Sequence, residues 1–408
     1  MKKILLIVTM VSATTAIFAQ NTLIPNQNFE QALINLGYDT GPVDGTVPTA
    51  NINTLTSLDV SNQSISDLTG IEDFLALIEL YCQDNQLSTI DISNNISLEK
   101  LDCDHNQLSV IDVTANINLK NLQCSYNNIS SLDVNSNPLL IFLFAGHNQI
   151  STIDVSNNPN LVNITINDNL FSYIDVTTNS NLAVLDCKNN QITSLDISNN
   201  PNVIFLNCGN NLLTALDVTS NTLLESLLCR LNQLTTLNVS NNTGIETLII
   251  DNNDLTSIDV SANILLELFY CERNDLTSLD LSGNYFLQKI WCYNNQLTSL
   301  DLRNNNNQNI GTTFWDIDIT GNYSLFCVDV DNPGWSTMNW TVSNDCIDSW
   351  NTFSSNCGVS TGVNEVNSNK KLIKITDILG RNAKGKKNEL LFYIYDDGTV
   401  EKKILKIK

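Results

Sequence analysis

The sequence predicts a solenoid of stacked parallel β coils, and three features of the chain carry this prediction. From Leu77 onward the sequence repeats every 21 residues, and eleven consecutive repeats align without a gap. Each repeat contains two short segments in which apolar and variable residues alternate, and asparagine at its ninth and nineteenth positions. A single unit of this kind cannot bury its apolar side chains alone, so neighbouring units must stack.

The alternating segments set the direction of the side chains. Positions 4 and 6 of a repeat are apolar around a variable residue, as in Leu185-Asp186-Cys187, and positions 14 and 16 follow the same rule. A period of two predicts a short extended segment whose apolar side chains point inward. Positions 3, 5 and 7 of each coil are therefore expected to point outward.

The asparagines of positions 9 and 19 are expected to form structural ladders, from Asn85 to Asn295 and from Asn95 to Asn305. An amide at a turn can bond the backbone of its own coil and of the next one.

Cysteine occupies position 6 in eight of the eleven repeats, and Ala145, Ile166 and Ile250 fill the other three. Exchange with alanine and isoleucine indicates a small apolar core position, for which a free cysteine is suited. A metal site is the alternative, but histidine never joins this column and no C-x-x-C occurs. We therefore expect buried thiols.

The segment Leu101-Asp102-Cys103-Asp104-His105-Asn106-Gln107-Leu108 resembles the L-x-C/L-x-x-N-x-L core of leucine-rich repeats. The resemblance covers residues 55–309, about twelve coils, and the 21-residue length is similar to internalin-like proteins. It implies that positions 3, 5 and 7 line a concave face, and that this face recognises a protein or a glycan. The alternative is a structural spacer at the cell surface without a discrete ligand.

An apolar run on that face is the candidate binding patch, because exposed aromatic patches commonly mark contacts. Its residues are Leu228, Ile249, Leu268, Tyr270, Trp291 and Tyr293, with a charged rim predicted at Arg230, Asp251, Glu272 and Arg273. A smaller set is Phe142, Phe144 and Phe205, near His147. The alternative for the main patch is burial beneath aromatic residues of the C-terminal cap, namely Phe314, Trp315, Trp335 and Trp340.

Charge excludes some partners. The chain carries a net charge of -23, and residues 20–361 hold 7 basic against 37 acidic residues. Nucleic acid is not expected as a partner, because binding a phosphate backbone needs a basic surface.

Aspartate fills position 15 in ten of eleven repeats, which predicts a solvated acidic stripe, with calcium binding as the alternative. No catalytic motif such as G-x-S-x-G, H-E-x-x-H or a P-loop occurs, so we expect neither an enzyme nor a cofactor.

Two regions precede the repeats in the chain. Residues 1–19 have a basic start and a short apolar stretch, which predicts a signal peptide cleaved after Ala19. Residues 20–54 are expected to form a cap, with a short amphipathic helix within 28–37 ending at a glycine and covering the first coil.

Residues 310–357 are expected to form the C-terminal cap, where a disulfide would close the open end of the core. Three cysteines lie there, and the sequence by itself allows Cys327 to form a disulfide with either Cys346 or Cys357. Similarity to the caps of bacterial repeat proteins implies the pair Cys327 and Cys357.

Residues 358–369 have the composition of a linker, and residues 370–408 are expected to form a small β module with a hairpin at Asp397-Gly398. This module resembles the type IX secretion sorting domain of exported Bacteroidetes proteins through Asp377-Ile378-Leu379-Gly380-Arg381, the hairpin and the lysine-terminated strand 402–408. It lacks the Pro-Asn-Pro entry strand usual there, and an ordinary terminal β domain is the alternative. The resemblance implies the type IX machinery as a partner and a secreted or outer-membrane surface location in a Gram-negative bacterium, with no membrane span in the mature chain.

Overall fold

The computed structural model describes residues 20–358, together with 372–376, 381, 383, 390–395 and 400–404 in the tail. The predicted signal peptide and nearly all of the predicted linker lie outside the described residues. The chain divides into two compact units, Met1–Ser355 and Asn356–Lys408.

The first unit is a leucine-rich-repeat solenoid, which confirms the predicted fold class. Its main sheet has thirteen parallel strands, one from each successive coil. The strands are Ser57–Asp59, Glu79–Tyr81, Lys100–Asp102, Asn121–Gln123, Phe142–Phe144, Asn163–Thr165, Val184–Asp186, Phe205–Asn207, Ser226–Leu228, Thr247–Ile249, Leu268–Tyr270, Lys289–Trp291 and Ile317–Asp318.

Adjacent strands pair in register, so that equal repeat positions are neighbours, as Leu206 is of Leu227. Each position therefore forms a row that crosses the sheet at about 4.8 Å per coil. Positions 4 and 6 point inward, and their side chains are fully buried throughout the eleven repeats. The core is a continuous stack of these rows, as the alternation predicts.

The second alternating segment is inward-facing but seldom forms a β ladder. Leu195 and Ile197 are buried, yet strands occur on this side only near the C-terminal end of the solenoid. There four strands pair in parallel, Ser278–Asp280, Ser299–Asp301, Cys327–Asp329 and Thr352–Ser354.

The predicted asparagine ladder at position 9 is confirmed, and both the nitrogen and the oxygen of the side-chain amide form hydrogen bonds in it. The Asn190 amide nitrogen donates to the carbonyl of Ile166 in the preceding coil at 3.0 Å and to Cys187 and Lys188 of its own coil at 3.1 Å. Its oxygen accepts the backbone N–H of Phe171 at 3.0 Å. One side chain thus closes its own turn and ties it to the neighbouring coil.

The column at position 19 uses only half of its hydrogen-bonding capacity. The Asn200 amide nitrogen donates to Val176 at 2.9 Å and to Asn179 at 2.8 Å, whereas its buried oxygen has no partner among the described residues. The prediction for the last repeat was wrong, because Asn304 rather than Asn305 donates to Asn284. Asn305 instead adopts a positive φ of 58° where the next coil lengthens.

The aspartates of position 15 have a local structural role. The Asp196 carboxylate accepts the backbone N–H of Ser198 at 2.9 Å and its hydroxyl at 2.7 Å, and these bonds lower the pKa of Asp196. Over the part of the chain that the structure describes, no group of three or more His, Cys, Asp or Glu residues is arranged to hold a metal ion.

The N-terminal cap contains the helices Gln27–Asn35 and Thr49–Ile52 and the antiparallel strands Asn21–Leu23 and Thr46–Pro48. Asn26 caps the first helix by accepting the N–H of Phe29 at 3.0 Å, so the cap residue precedes the predicted range. Phe29 packs on Phe74 of the first coil with ring centroids 6.2 Å apart, so the helix contacts this end of the solenoid. Leu36, which follows the helix, is 45% exposed.

The C-terminal cap contains the helix Pro333–Asn339, short 3-10 turns and the tightly buried Trp340, which donates to the carbonyl of Gly311 at 3.0 Å. Cys327 and Cys357 are disulfide-bonded, whereas Cys346 is a buried free thiol.

The second unit contains an antiparallel sheet of three strands, Leu372–Thr376, Leu390–Tyr395 and Val400–Ile404. The last two strands pair from Leu390 with Ile404 to Ile394 with Val400, as the predicted hairpin requires. The turn at Asp397-Gly398 and the sorting-domain segment 377–380 lie outside the described residues.

We predict that Asn190→Ala lowers the free energy of unfolding by about 1–3 kcal/mol, because it leaves buried backbone groups of two coils unsatisfied. Thermal or urea unfolding measures this loss. The matched control is Asn94→Ala, since Asn94 is exposed and its side chain forms no hydrogen bond with another described residue. Equal melting of the two variants would contradict the role of the ladder.

We also predict that the nine free cysteines resist alkylation in the native protein. All nine are buried, and burial raises the pKa of Cys229, for example, to about 12, which suppresses the reactive thiolate. Iodoacetamide at pH 8 followed by mass spectrometry should modify none before unfolding and all nine after unfolding in guanidinium without reductant. Fewer than nine modified thiols after unfolding would reveal disulfides among these nine cysteines, and the unmodified peptides would show whether they lie in the column or involve Cys346.

Candidate ligand-binding face

Positions 3, 5 and 7 of the coils point outward along the thirteen-stranded sheet and form what we call the sheet face. Rows of the sheet face run across coils, so residues 21 apart in sequence lie side by side. The register pairs Leu228 with Ile249, Ile249 with Tyr270, and Tyr270 with Trp291. The structure therefore brings the predicted apolar run together in one row.

Tyr270 and Trp291 form the centre of this run. Their rings stack with centroids 4.2 Å apart and planes 14° apart. Trp291 also lies 6.5 Å from Tyr293, and its buried indole N–H has no hydrogen-bond partner among the described residues. Large aromatic side chains of this kind are enriched in contact surfaces.

The six predicted residues, all half-buried, form what we call the apolar patch, namely Leu228, Ile249, Leu268, Tyr270, Trp291 and Tyr293. The smaller predicted set is also on the sheet face, where Phe142 and Phe144 lie with parallel rings 6.5 Å apart. His147 belongs to a different row, in which it stacks on Tyr126 with centroids 4.0 Å apart.

The C-terminal cap borders the apolar patch and leaves it partly open. Trp315 lies 6.3 Å from Trp291 and 4.4 Å from Phe314, and it remains 61% exposed. Trp335 packs edge-on against Trp340 inside the cap. Trp315 and Phe314 therefore extend the aromatic surface, an effect the repeat pattern does not reveal because both follow the last regular coil.

The predicted charged rim is only half correct. Arg230 and Arg273 are exposed, but Asp251 and Glu272 are 4% and 5% exposed, so they lie beneath the surface instead of around it. Asp251 accepts from Asn252 at 2.7 Å and lies 3.9 Å from the Arg230 guanidinium. The two arginines therefore carry the exposed charge of this row, and the two carboxylates do not.

Glu272 is the most perturbed of these groups. Burial, followed by the negative charge of Asp251, raises the pKa of Glu272 to about 7. Its Oε2 atom accepts no hydrogen bond from the described residues. Burial, followed by the negative charge of the nearby Glu272, raises the pKa of Tyr270 and of Tyr293.

A second feature of the sheet face was not predicted. A cavity of about 270 Å³ lies next to the apolar patch and shares Leu228 with it. Its lining residues are Lys188, Asn189, Asn207, Gly209, Asn210, Leu228, Arg230 and Leu231. The signal in the sequence was a glycine at position 7 with a basic residue at the same position of the coils before and after it.

Comparison with known proteins agrees with this architecture. No protein-family model matches the chain. Internalin J of Listeria monocytogenes serotype 4b strain F2365 is 37% identical to it over 75 residues, which are 18% of this chain. The matched segment is only 8% of that curated protein's length.

Solved structures extend the similarity over most of the chain. The functional domain of internalin J from Listeria monocytogenes, described as including a cysteine ladder, has a TM-score of 0.63 and 25% identity, covering 94% of this chain and 98% of that one. Internalin F from the same species has a TM-score of 0.62 and 22% identity, covering 76% and 89%. A leucine-rich-repeat protein of Leptospira interrogans has a TM-score of 0.57 and 23% identity, covering 74% and 85%. The fold is thus that of an internalin-like leucine-rich-repeat protein.

Within the described ranges, no helix has the length and apolar character needed to cross a membrane.

We predict that Glu272→Gln stabilises the protein at pH 8 and leaves it unchanged at pH 4. Below pH 4.5, the ordinary value, Glu272 is protonated in the folded and unfolded states alike. As the pH rises to about 7, the unfolded chain ionises first, so the wild type loses stability, and the loss is complete above pH 7. Glutamine removes this loss and the repulsion with Asp251, a gain of about 1–3 kcal/mol.

Urea unfolding at the two pH values measures the gain. The control Glu246→Gln removes an equal charge from an exposed site and should show no comparable pH dependence. A Glu272→Gln variant whose stability relative to wild type does not change with pH would contradict the assignment.

Proposed function

We propose that this protein is a non-catalytic binding or adhesion protein that recognises a protein or glycan on its sheet face, through the apolar patch. The observation that supports the proposal best is the half-exposed stack of Tyr270 on Trp291. Burying such rings in an interface is favourable, because large aromatic side chains contribute much of the affinity of protein interfaces.

The internalin-like fold supports the same proposal, because leucine-rich-repeat solenoids present variable residues on extended surfaces suited to macromolecules. We further propose that the chain is exported through residues 1–19 and carried to the cell surface, or released, by the type IX machinery acting on residues 370–408. No cofactor is invoked in this function, and calcium is treated as a variable to be tested.

The competing function is a rigid acidic spacer. The dense negative charge and the continuous core favour it, since a spacer needs stiffness and solubility but no ligand. It predicts no saturable binding to any surface.

We predict that Tyr270→Ala combined with Trp291→Ala weakens partner binding by at least about 30-fold, since central aromatic residues contribute most to interface affinity. The labelled chain is titrated onto host cells and onto neighbouring bacterial cells, with and without calcium, and saturable binding is measured. The matched control is Tyr285→Ala with Phe286→Ala, which removes two exposed aromatic residues from outside the sheet face.

Both double variants should keep the wild-type circular dichroism spectrum. Equal binding by the two variants would reject the apolar patch as the contact surface. An absence of saturable binding by the wild type itself would favour the spacer.

A further inference from the structure

The cavity beside the apolar patch exists because position 7 is glycine in one coil. Gly209 lies between Lys188 and Arg230, which hold the same position in the preceding and following coils. A Cβ atom at residue 209 would lie 3.0 Å from the Cγ atom of Arg230 and 3.4 Å from the Asn207 side-chain oxygen. Any larger side chain would therefore occupy the cavity.

Backbone conformation does not explain this glycine. The residue with positive φ in this turn is Asn210, at 53°, whereas Gly209 has no positive φ. Other coils place Gln83, Ser125 or Tyr293 at the same position. Gly146 is the other glycine of the row, but there the Asn167 side chain fills the space, 2.4 Å from where a Cβ would lie. At Gly209 the nearest side-chain atom is the Arg230 Cγ atom, so the glycine lets the stem of Arg230 lie close to the backbone and lines the cavity without filling it.

The charge of the cavity is opposite to that of the surrounding solenoid. Residues 20–361 contain only 7 basic residues against 37 acidic ones, yet two of the basic residues flank this one space. Lys188 has no ion pair within 4.0 Å among the described residues, and Arg230 has only the 3.9 Å contact with Asp251. Neither charge is neutralised by a close partner, so both can contribute to binding an anion.

Asp186 is an acidic residue close to Lys188, because the Lys188 charge acts on its carboxyl group. Its carboxylate accepts from the Asn207 side chain and from the backbone of Lys188, and burial raises its pKa despite these bonds. The charge of Lys188 acts on Asp186, but the two side chains form no ion pair within 4.0 Å among the described residues, so the Lys188 ammonium can also contact a bound anion.

The remaining lining suits a sugar ring. Asn210 donates to Asn189 at 2.9 Å, and Asn189 donates to Asp168 at 2.7 Å, which fixes the orientation of the exposed amides. Fixed amides recognise hydroxyl groups, while Leu228 and Leu231 offer an apolar wall to the C–H face of a ring. A volume of about 270 Å³ suits one ring, and a short acidic side chain would leave the amides unused.

We propose that this cavity binds a pyranose bearing a carboxylate, such as a hexuronic or sialic acid residue of a glycan. The carboxylate lies between Lys188 and the Arg230 guanidinium, and the ring hydroxyls bond Asn189 and Asn210. This proposal rests on the proposed function of the sheet face in binding and names the chemistry of one ligand.

The test compares two sugars that differ only at C6, where one carries a carboxylate and the other a neutral hydroxymethyl group. Binding of methyl β-D-glucuronide and of the neutral methyl β-D-glucoside to the full chain is measured by calorimetry or ligand-observed NMR. We expect the glucuronide to bind at least about tenfold more tightly and to weaken as salt rises. Methyl α-N-acetylneuraminide is a parallel arm that distinguishes sialic from uronic acids, and N-acetyl-L-glutamate represents an acidic peptide.

Two variants test the position of the site. Gly209→Gln fills the cavity and Lys188→Gln removes one charge, and each should weaken binding of the preferred acidic sugar about tenfold or more. Lys289→Gln, with the same charge change elsewhere on the sheet face, should leave binding unchanged. If Gly209→Gln lowers the melting temperature, Lys188→Gln and Lys289→Gln alone decide the result.

Equal affinity for the charged and neutral glucosides, binding of N-acetyl-L-glutamate in preference to both acidic sugars, or no binding of either acidic sugar would each overturn the proposal. The Tyr270→Ala and Trp291→Ala double variant should keep its sugar affinity. Loss of cell binding with intact sugar binding therefore reports on the apolar patch, and the reverse result reports on the cavity.

Discussion

Hydrogen bonding between equal positions of neighbouring coils is the constraint on which the rest of the molecule depends. The amide of Asn190 closes its own turn and bonds the preceding coil, and the same arrangement recurs down the solenoid. Because these bonds hold equal positions of neighbouring coils side by side, every inward residue falls into a continuous core row and every outward residue into a surface row. Core packing and surface composition therefore vary independently in this protein.

This independence explains how much the sequence predicted. The inward rows and the buried cysteines followed from alternation alone, because a period of two leaves one direction for each side chain. The row containing Tyr270 and Trp291 followed from the same register. The C-terminal end of the solenoid was predicted less accurately. There Asn304 replaces Asn305 in the ladder, and the coil leading to Ile317 is longer than 21 residues.

The depth of outward side chains was also not predictable from one repeat at a time. Whether Glu272 is exposed depends on the size of its neighbours, among them Tyr293 in its own row and Tyr270 in another row, and these vary without a period. The cavity at Gly209 has the same origin, since it is the absence of a side chain between Lys188 and Arg230 that creates it. Surface topography in such a fold arises from combinations of three or more coils, whereas the repeat pattern describes only one.

The in-register sheet also fixes the distances between sites on its face. Gly209 and Trp291 lie four coils apart, so the cavity and the aromatic pair are separated by whole multiples of the inter-strand spacing of about 4.8 Å. Gain or loss of one 21-residue unit between them would change that separation by one step while leaving every core row chemically intact. Duplication of a coil is thus a way for such a protein to match ligands of different length, with little need for compensating change inside.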